Sequence, residues 1–255
     1  MRVATARAIA LLPLSYRNRH ECKFVVSESV AQLVLRRVQP FVRPDPHAAD
    51  RPRHAYPVAS LYLDDRGHSL YRESREGLAY RYKLRVRSYS DDDAQPVFLE
   101  VKRRHDLVVQ KLRCAVPRDL LADALAGRAV DPVGASETAR TSLAEFQRLV
   151  QLRRAMPTVI VNYERQAYVG LDDGELRVTV DRRLCALPMV EPDVRVSTAG
   201  FVSVPGRSVV LEFKFTDRFP PWMAEAIRAC QLRRQSFSKY CAAFDALAER
   251  GAPLR

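Results

Sequence analysis

Apolar and polar residues alternate through several short stretches of this chain, and the polar positions carry charge. The run Tyr80-Arg-Tyr-Lys-Leu-Arg-Val-Arg-Ser-Tyr89 places Tyr80, Tyr82, Leu84 and Val86 on one side and Arg81, Lys83, Arg85 and Arg87 on the other, because successive strand residues point to opposite faces. The same spacing recurs in Arg19-x-Glu21-x-Lys23, Glu100-x-Lys102, Lys111-x-Arg113 and Glu212-x-Lys214, the last opposite Leu211, Phe213 and Phe215. Each segment is expected to be a strand with one charged face.

Between these strands the pattern predicts helices and turns. A first strand covers 20–26, and Ser27 caps a helix whose stripe of Val30, Leu33, Val34 and Val38 ends at Pro40. Residues 43–57 read as a loop, 58–63 as a strand and Asp64-Asp65-Arg66-Gly67 as a turn. A long strand over 79–89 leads through an acidic turn to a hairpin of 97–103 and 108–116 around 104–107. A short helix is expected from Pro117 to Gly127, then a loop, then a helix opened by a Ser142–Glu145 capping box and running to Arg154. A second hairpin joins 158–169 to 175–184, residues 188–207 read as a long loop, and 208–215 as a strand. One helical stretch from Trp222 to Arg250 closes the chain. Without repeats or linkers, this is expected to be an α+β fold or barrel of about eight mainly antiparallel strands with peripheral helices. Residues 1–15 read as a flexible tail and 16–250 as a single domain.

Composition sharpens the picture. Of 42 basic residues only six are lysine (Lys23, Lys83, Lys102, Lys111, Lys214 and Lys239), and five of these fall on the charged strand faces. The net charge of +12 favours an anionic partner. Five scattered cysteines without a C-x-x-C pair suit reduced thiols in the cytoplasm, and no apolar run is long enough for a membrane span. There is no phosphate-cradling G-x-x-x-x-G-K-[ST] loop, no G-x-G-x-x-G and no histidine pair with metal-ligand spacing.

Repelling charges at two-residue spacing on five strands, with Arg113, Arg165 and Arg177 on neighbouring segments, make sense around a polyanion, where Arg forks and Lys point charges meet phosphate. Glu21, Glu100, Asp181 and Glu212 share these faces, as counter-ions or as oxygen ligands for Mg²⁺ or Mn²⁺. Glu212, with Lys214 on the same face, is the leading metal candidate, ahead of Glu100 and Glu21. Tyr62, Tyr163, Tyr240 and Trp222 read first as packing aromatics, and Lys239 as a helix lysine reaching the site. No exposed-looking aromatics interleave the basic residues, which argues against nucleic acid as partner.

Nine segments in order carry a family resemblance over about 16–245. They are Tyr16-Arg-Asn-Arg-His-Glu-Cys-Lys-Phe24, Ser60-Leu-Tyr-Leu-Asp64, the run 80–89, Phe98-Leu-Glu-Val-Lys102 and Lys111-Leu-Arg113; then Asn162-Tyr-Glu-Arg165, Arg177-Val-Thr-Val-Asp181, Leu211-Glu-Phe-Lys214 and Phe237-Ser-Lys-Tyr240. The chain resembles the VTC domain, the polyphosphate polymerase domain of the triphosphate tunnel metalloenzyme (CYTH-like) superfamily. The resemblance implies an eight-stranded antiparallel β-barrel around a basic tunnel that binds ATP, another triphosphate or polyphosphate. Carried over by motif, Lys23, Arg81, Lys83, Arg85, Arg87, Lys102, Lys111, Arg165, Arg177 and Lys214 would act on the phosphates, and Arg19, Arg113, Tyr163, Lys239 and Tyr240 would contact substrate. Glu212 would hold the divalent metal. The implied reaction passes the γ-phosphate of ATP to a polyphosphate end. Hydrolysis of triphosphate and non-catalytic binding remain open, as does a membrane-protein partner, since neither the inositol-phosphate-sensing domain nor the transmembrane helices of the eukaryotic enzymes is expected here.

Overall fold

The computed structural model describes residues 20–105, 108–205, 209–216 and 218–254. The expected tail at 1–15, Arg19, the hairpin tip at 106–107 and Ser208 lie outside them. Strands β1 (His20–Val26), β2 (Val42–Pro44), β3 (Ala55–Asp64), β4 (Tyr80–Ser88), β5 (Val97–His105), β6 (Val108–Val116), β7 (Met156–Gly170), β8 (Arg177–Pro188), β9 (Val202–Ser203) and β10 (Val209–Phe215) form one antiparallel sheet. Its main path is β1-β10-β8-β7-β3-β4-β5-β6, with β2 on β7 and β9 on β8. Helices α1 (Glu28–Val38), α2 (Ser69–Glu76), α3 (Leu121–Leu125), α4 (Glu137–Arg153), α5 (Pro221–Ala229) and α6 (Lys239–Ala248) complete an α+β architecture.

The period-two pattern separates the two faces of the sheet. Leu61 and Leu63 of β3, Leu84 and Val86 of β4, and Leu99 and Val101 of β5 pack under Leu143, Phe146, Leu149 and Val150 of α4. Phe24, Leu211, Phe213, Val178 and Val180 meet Ala31, Val34 and Val38 of α1 and Met223 of α5. Burying each large side chain stabilises the fold by about 1.5–3 kcal/mol. The alternate residues face the other way. There Lys102 of β5 reaches Glu21 of β1, 3.1 Å away, although the strands are not neighbours. The sheet therefore curls toward its charged face.

The closed barrel expected from sequence is not formed: among the described residues no ladder joins β1 to β6. The free edge of β1 is already used, since Gln235 N–H donates to the Lys23 carbonyl (2.9 Å). That contact also explains a second correction. The C-terminal stretch is two helices, broken at Gln231 with φ 49°, and the segment between them lies along β1 before Ser238 caps α6 through Cys241 N–H (3.2 Å). Helix α4 starts at Ser136, which accepts from Ala139 N–H (3.2 Å), and Ser142 is a buried residue inside it. Strand β3 begins at Ala55 in the expected loop. Pro57 is tolerated because it pairs only with β7, while pairing to β4 starts at Ala59.

Helix α2 was not predicted, because only Leu70 in it is buried. Two carboxylates hold it: Asp65 accepts from Ser69 N–H, and Asp64 accepts from Leu70 (2.9 Å) and Tyr71 (2.8 Å) N–H. Asp64 also accepts from the Tyr240 hydroxyl at 2.7 Å, while Tyr240 stacks on Tyr62 with centroids 4.8 Å apart. This pins α6 against the curled face, where Tyr240, Ala243, Phe244 and Leu247 pack on Val58, Val159, Val161, Leu184 and Ala186. Tyr240→Phe should therefore lower stability by about 1.5–3 kcal/mol, the worth of a hydrogen bond to a buried charged group, read as a reduced urea midpoint at unchanged m-value.

Candidate active site

The curl gathers the charged faces around a cavity of about 260 Å³. Its lining includes Lys23 (β1), Lys83, Arg85 and Arg87 (β4), Lys102 (β5), Lys111 (β6), Arg165 (β7), Lys214 (β10) and Lys239 (α6). Glu21, Glu212 and Tyr163 line it too, with Phe237 and Ser238 from the segment before α6. Nine cations thus face two carboxylates.

Two further carboxylates sit among the cations, fully buried. Glu100 pairs with Arg85 (2.6 Å) and Lys111 (2.7 Å), and more distantly with Arg113 (3.6 Å) and Arg87 (3.9 Å). Asp181 holds Arg165 through two contacts of 2.6 and 2.7 Å and also Lys239 at 2.7 Å. Burial alone would raise both carboxyls. Arg85, Arg87 and Lys111 outweigh it and hold Glu100 well below the usual carboxylate range, and Arg165 with Lys239 lowers Asp181. Glu212 is likewise held well down, burial being outweighed by Lys214, Lys23 and Lys239. These carboxylates stay ionised and are weak bases.

Three lysines shift the other way, because burial outweighs whatever carboxylate they meet. Lys83 has its ammonium on Ser238 Oγ (2.7 Å), and burial pushes it down to about 7. Burial and Lys23 bring Lys102 to about 8, and desolvation outweighs the Glu100 carboxylate to bring Lys111 to about 7. Lys239, also desolvated, is instead raised by Asp181 and Glu212. Tyr163 is lowered, since Arg87 and Arg165 outweigh its burial; its hydroxyl accepts from Arg87 (3.3 Å), and Lys239 lies 5.0 Å from its ring centroid.

Other expected residues stand apart. Arg81 is engaged with the Leu78 carbonyl, and Arg177 with Asp45; neither lines the cavity. Arg113 stacks on Phe98 beside the cavity (3.8 Å). Tyr240 is spent on Asp64. Arg19 is outside the described residues. The sequence reading missed Phe237 and Ser238 as lining residues; the capping pattern of Ser238 next to Lys239 is the signal that could have placed them.

Among the described residues no three His, Cys, Asp or Glu side chains cluster as a metal site. Two carboxylates do converge. Glu21 Oε1 and Glu212 Oε1 both face Lys23, and their contacts of 3.5–3.8 Å are longer than hydrogen bonds. This donor set fits a hard cation that draws its remaining ligands from phosphate oxygens.

The described residues thus form a curled antiparallel sheet with a cationic inner face. The chain matches the VTC domain over residues 18–248 and belongs to that family, one of the triphosphate tunnel (CYTH-like) enzymes. No curated protein matches it. Among solved structures, it is similar to a Vibrio parahaemolyticus protein described as a "putative adenylate cyclase", with 13% identity, 90% of this chain and 99% of that one covered, and a TM-score of 0.44; that likeness is too distant for residue comparison. No helix among the described residues is long and apolar enough to cross a membrane.

The lysine shifts generate a pH prediction. Lys83, Lys102 and Lys111 are partly neutral at pH 7–8, and an incoming phosphate favours their charged forms. Tripolyphosphate binding should take up protons at pH 8 and weaken as pH rises further, because each lysine must then be protonated on binding. Calorimetry in two buffers of different ionisation enthalpy measures the uptake.

Proposed function

We propose that the cavity performs metal-dependent phosphoryl transfer, most specifically polyphosphate synthesis from the γ-phosphate of ATP. The observation that carries this reading is the convergence of nine cations on one cavity with two carboxylates, Glu21 and Glu212, that both face Lys23. Arg85, Arg87 and Arg165 are fixed by Glu100, Tyr163 and Asp181, so they present preorganised forks to phosphate oxygens. Lys83, Lys102 and Lys111 supply charge that rises as phosphate enters.

Glu212 and Glu21 would hold the divalent cation, Mn²⁺ or Mg²⁺. When bound, it would neutralise phosphate oxygens and help orient the groups that react. The protein's part is then positioning and charge neutralisation. Transfer to a polyphosphate end suits this site better than hydrolysis. The acceptor is already an anion and needs no base, whereas attack by water would call for one; every carboxylate here is held low, which leaves that role to Lys83 or Lys111, each brought to about 7.

Incubation with ATP and Mn²⁺ should yield polyphosphate on a gel, and Glu212→Gln should cut the rate by at least 100-fold, the scale of losing one preorganised electrostatic contact. Phosphate release without chain growth would instead favour triphosphatase activity, and tight binding without turnover a binding module.

A further inference from the structure

Beyond the cations, the curled face changes character. Tyr89 follows Arg87 by two positions, Phe98 precedes Glu100 by two, and Arg113 stands opposite Glu100 in the β5–β6 ladder. Phe98 and Arg113 therefore belong to the cavity's face, and Tyr89, one residue past the end of β4, meets Phe98 there. Tyr56 lies opposite Arg165 across the β3–β7 ladder. The Tyr56 and Tyr89 rings meet edge to face at 5.9 Å, and Tyr89 and Phe98 at 5.6 Å. The Arg113 guanidinium lies 3.8 Å over Phe98 and 5.8 Å from the centre of Tyr89. The three rings are half-buried, and 36% of the Arg113 side chain is exposed. The cluster abuts the phosphate cavity: Arg113 Nε is 3.6 Å from Glu100 Oε1, the oxygen that Lys111 also contacts at 2.7 Å.

We propose that this cluster is a subsite for the base of a nucleoside triphosphate whose phosphates occupy the cavity. Arg113 is outside the cavity lining and lies over the Phe98 ring, at the edge where a nucleotide would leave its phosphates behind. The cluster offers aromatic faces and a planar guanidinium with an open side, the surfaces on which a heteroaromatic ring stacks. Packing accounts for the three rings and the Glu100 contact helps place Arg113; the feature that invites a ligand is the exposed side of its guanidinium next to the phosphate cavity. The subsite would let the protein distinguish a nucleotide from inorganic polyphosphate, which has no ring to stack. This inference rests on the reading of the cavity as a phosphate site.

The test compares ATP and inorganic tripolyphosphate by calorimetry on the unaltered protein, Tyr89→Leu and Phe98→Leu. Each variant should lose about tenfold in ATP affinity, within the range measured for one base stack, while tripolyphosphate affinity stays within about twofold of the unaltered protein. The tripolyphosphate arm also reports that each variant is folded. Parallel weakening of both ligands, or no change in either, overturns the subsite and leaves the phosphate cavity standing. If the unaltered protein binds neither ligand, the cavity reading fails and the subsite with it.

Discussion

The structure depends on a charge problem solved inside a sheet. Two like charges about 5 Å apart repel by about 3 kcal/mol at an effective dielectric of about 20. Nine cations around one cavity would therefore outweigh the roughly 5–15 kcal/mol that holds a domain folded. Glu100, Asp181 and Glu212 offset this from beneath, each buried and each touching two or more cations. Compensation is incomplete: burial first, and neighbouring cations after it, bring Lys83, Lys102 and Lys111 down to where they release protons near neutral pH. An anion entering the cavity would favour the charged lysines, so anion binding and proton uptake would be linked.

The same three carboxylates orient what they neutralise. Asp181 fixes Arg165 and draws in Lys239 from α6, and Glu212 receives cations from β1, β10 and α6. Helix α6 is consequently bound to the site at its first residue and to the Asp64 carboxylate at its second. An anion that competed with Asp181 and Glu212 for Lys239 would act directly on the N-terminus of this helix, which ties the cavity to the packing around Tyr240 and Phe244.

Much of this was legible in sequence because alternation is a local signal. Charges at i±2 along 81–87, 100–102 and 212–214 assigned a face to each strand, and the six lysines marked the cavity. What lay beyond reach was set by distant partners. The engagement of Arg177 by Asp45 and of Tyr240 by Asp64 joins residues 132 and 176 positions apart. Among the described residues β1 and β6 are not paired, and Gln235 donates to the β1 edge at Lys23, a contact no local pattern encodes. Tyr89 stands two positions after Arg87 and Phe98 two before Glu100 in the sequence, but their meeting required the hairpin register.

The most direct measurement is a structure of the protein with tripolyphosphate and Mn²⁺. It should show phosphates against Lys83, Arg85, Lys111 and Arg165, with the metal between Glu21 and Glu212. A cavity left without anion at saturating ligand, or phosphate bound only on the outer surface of the sheet, would contradict the account.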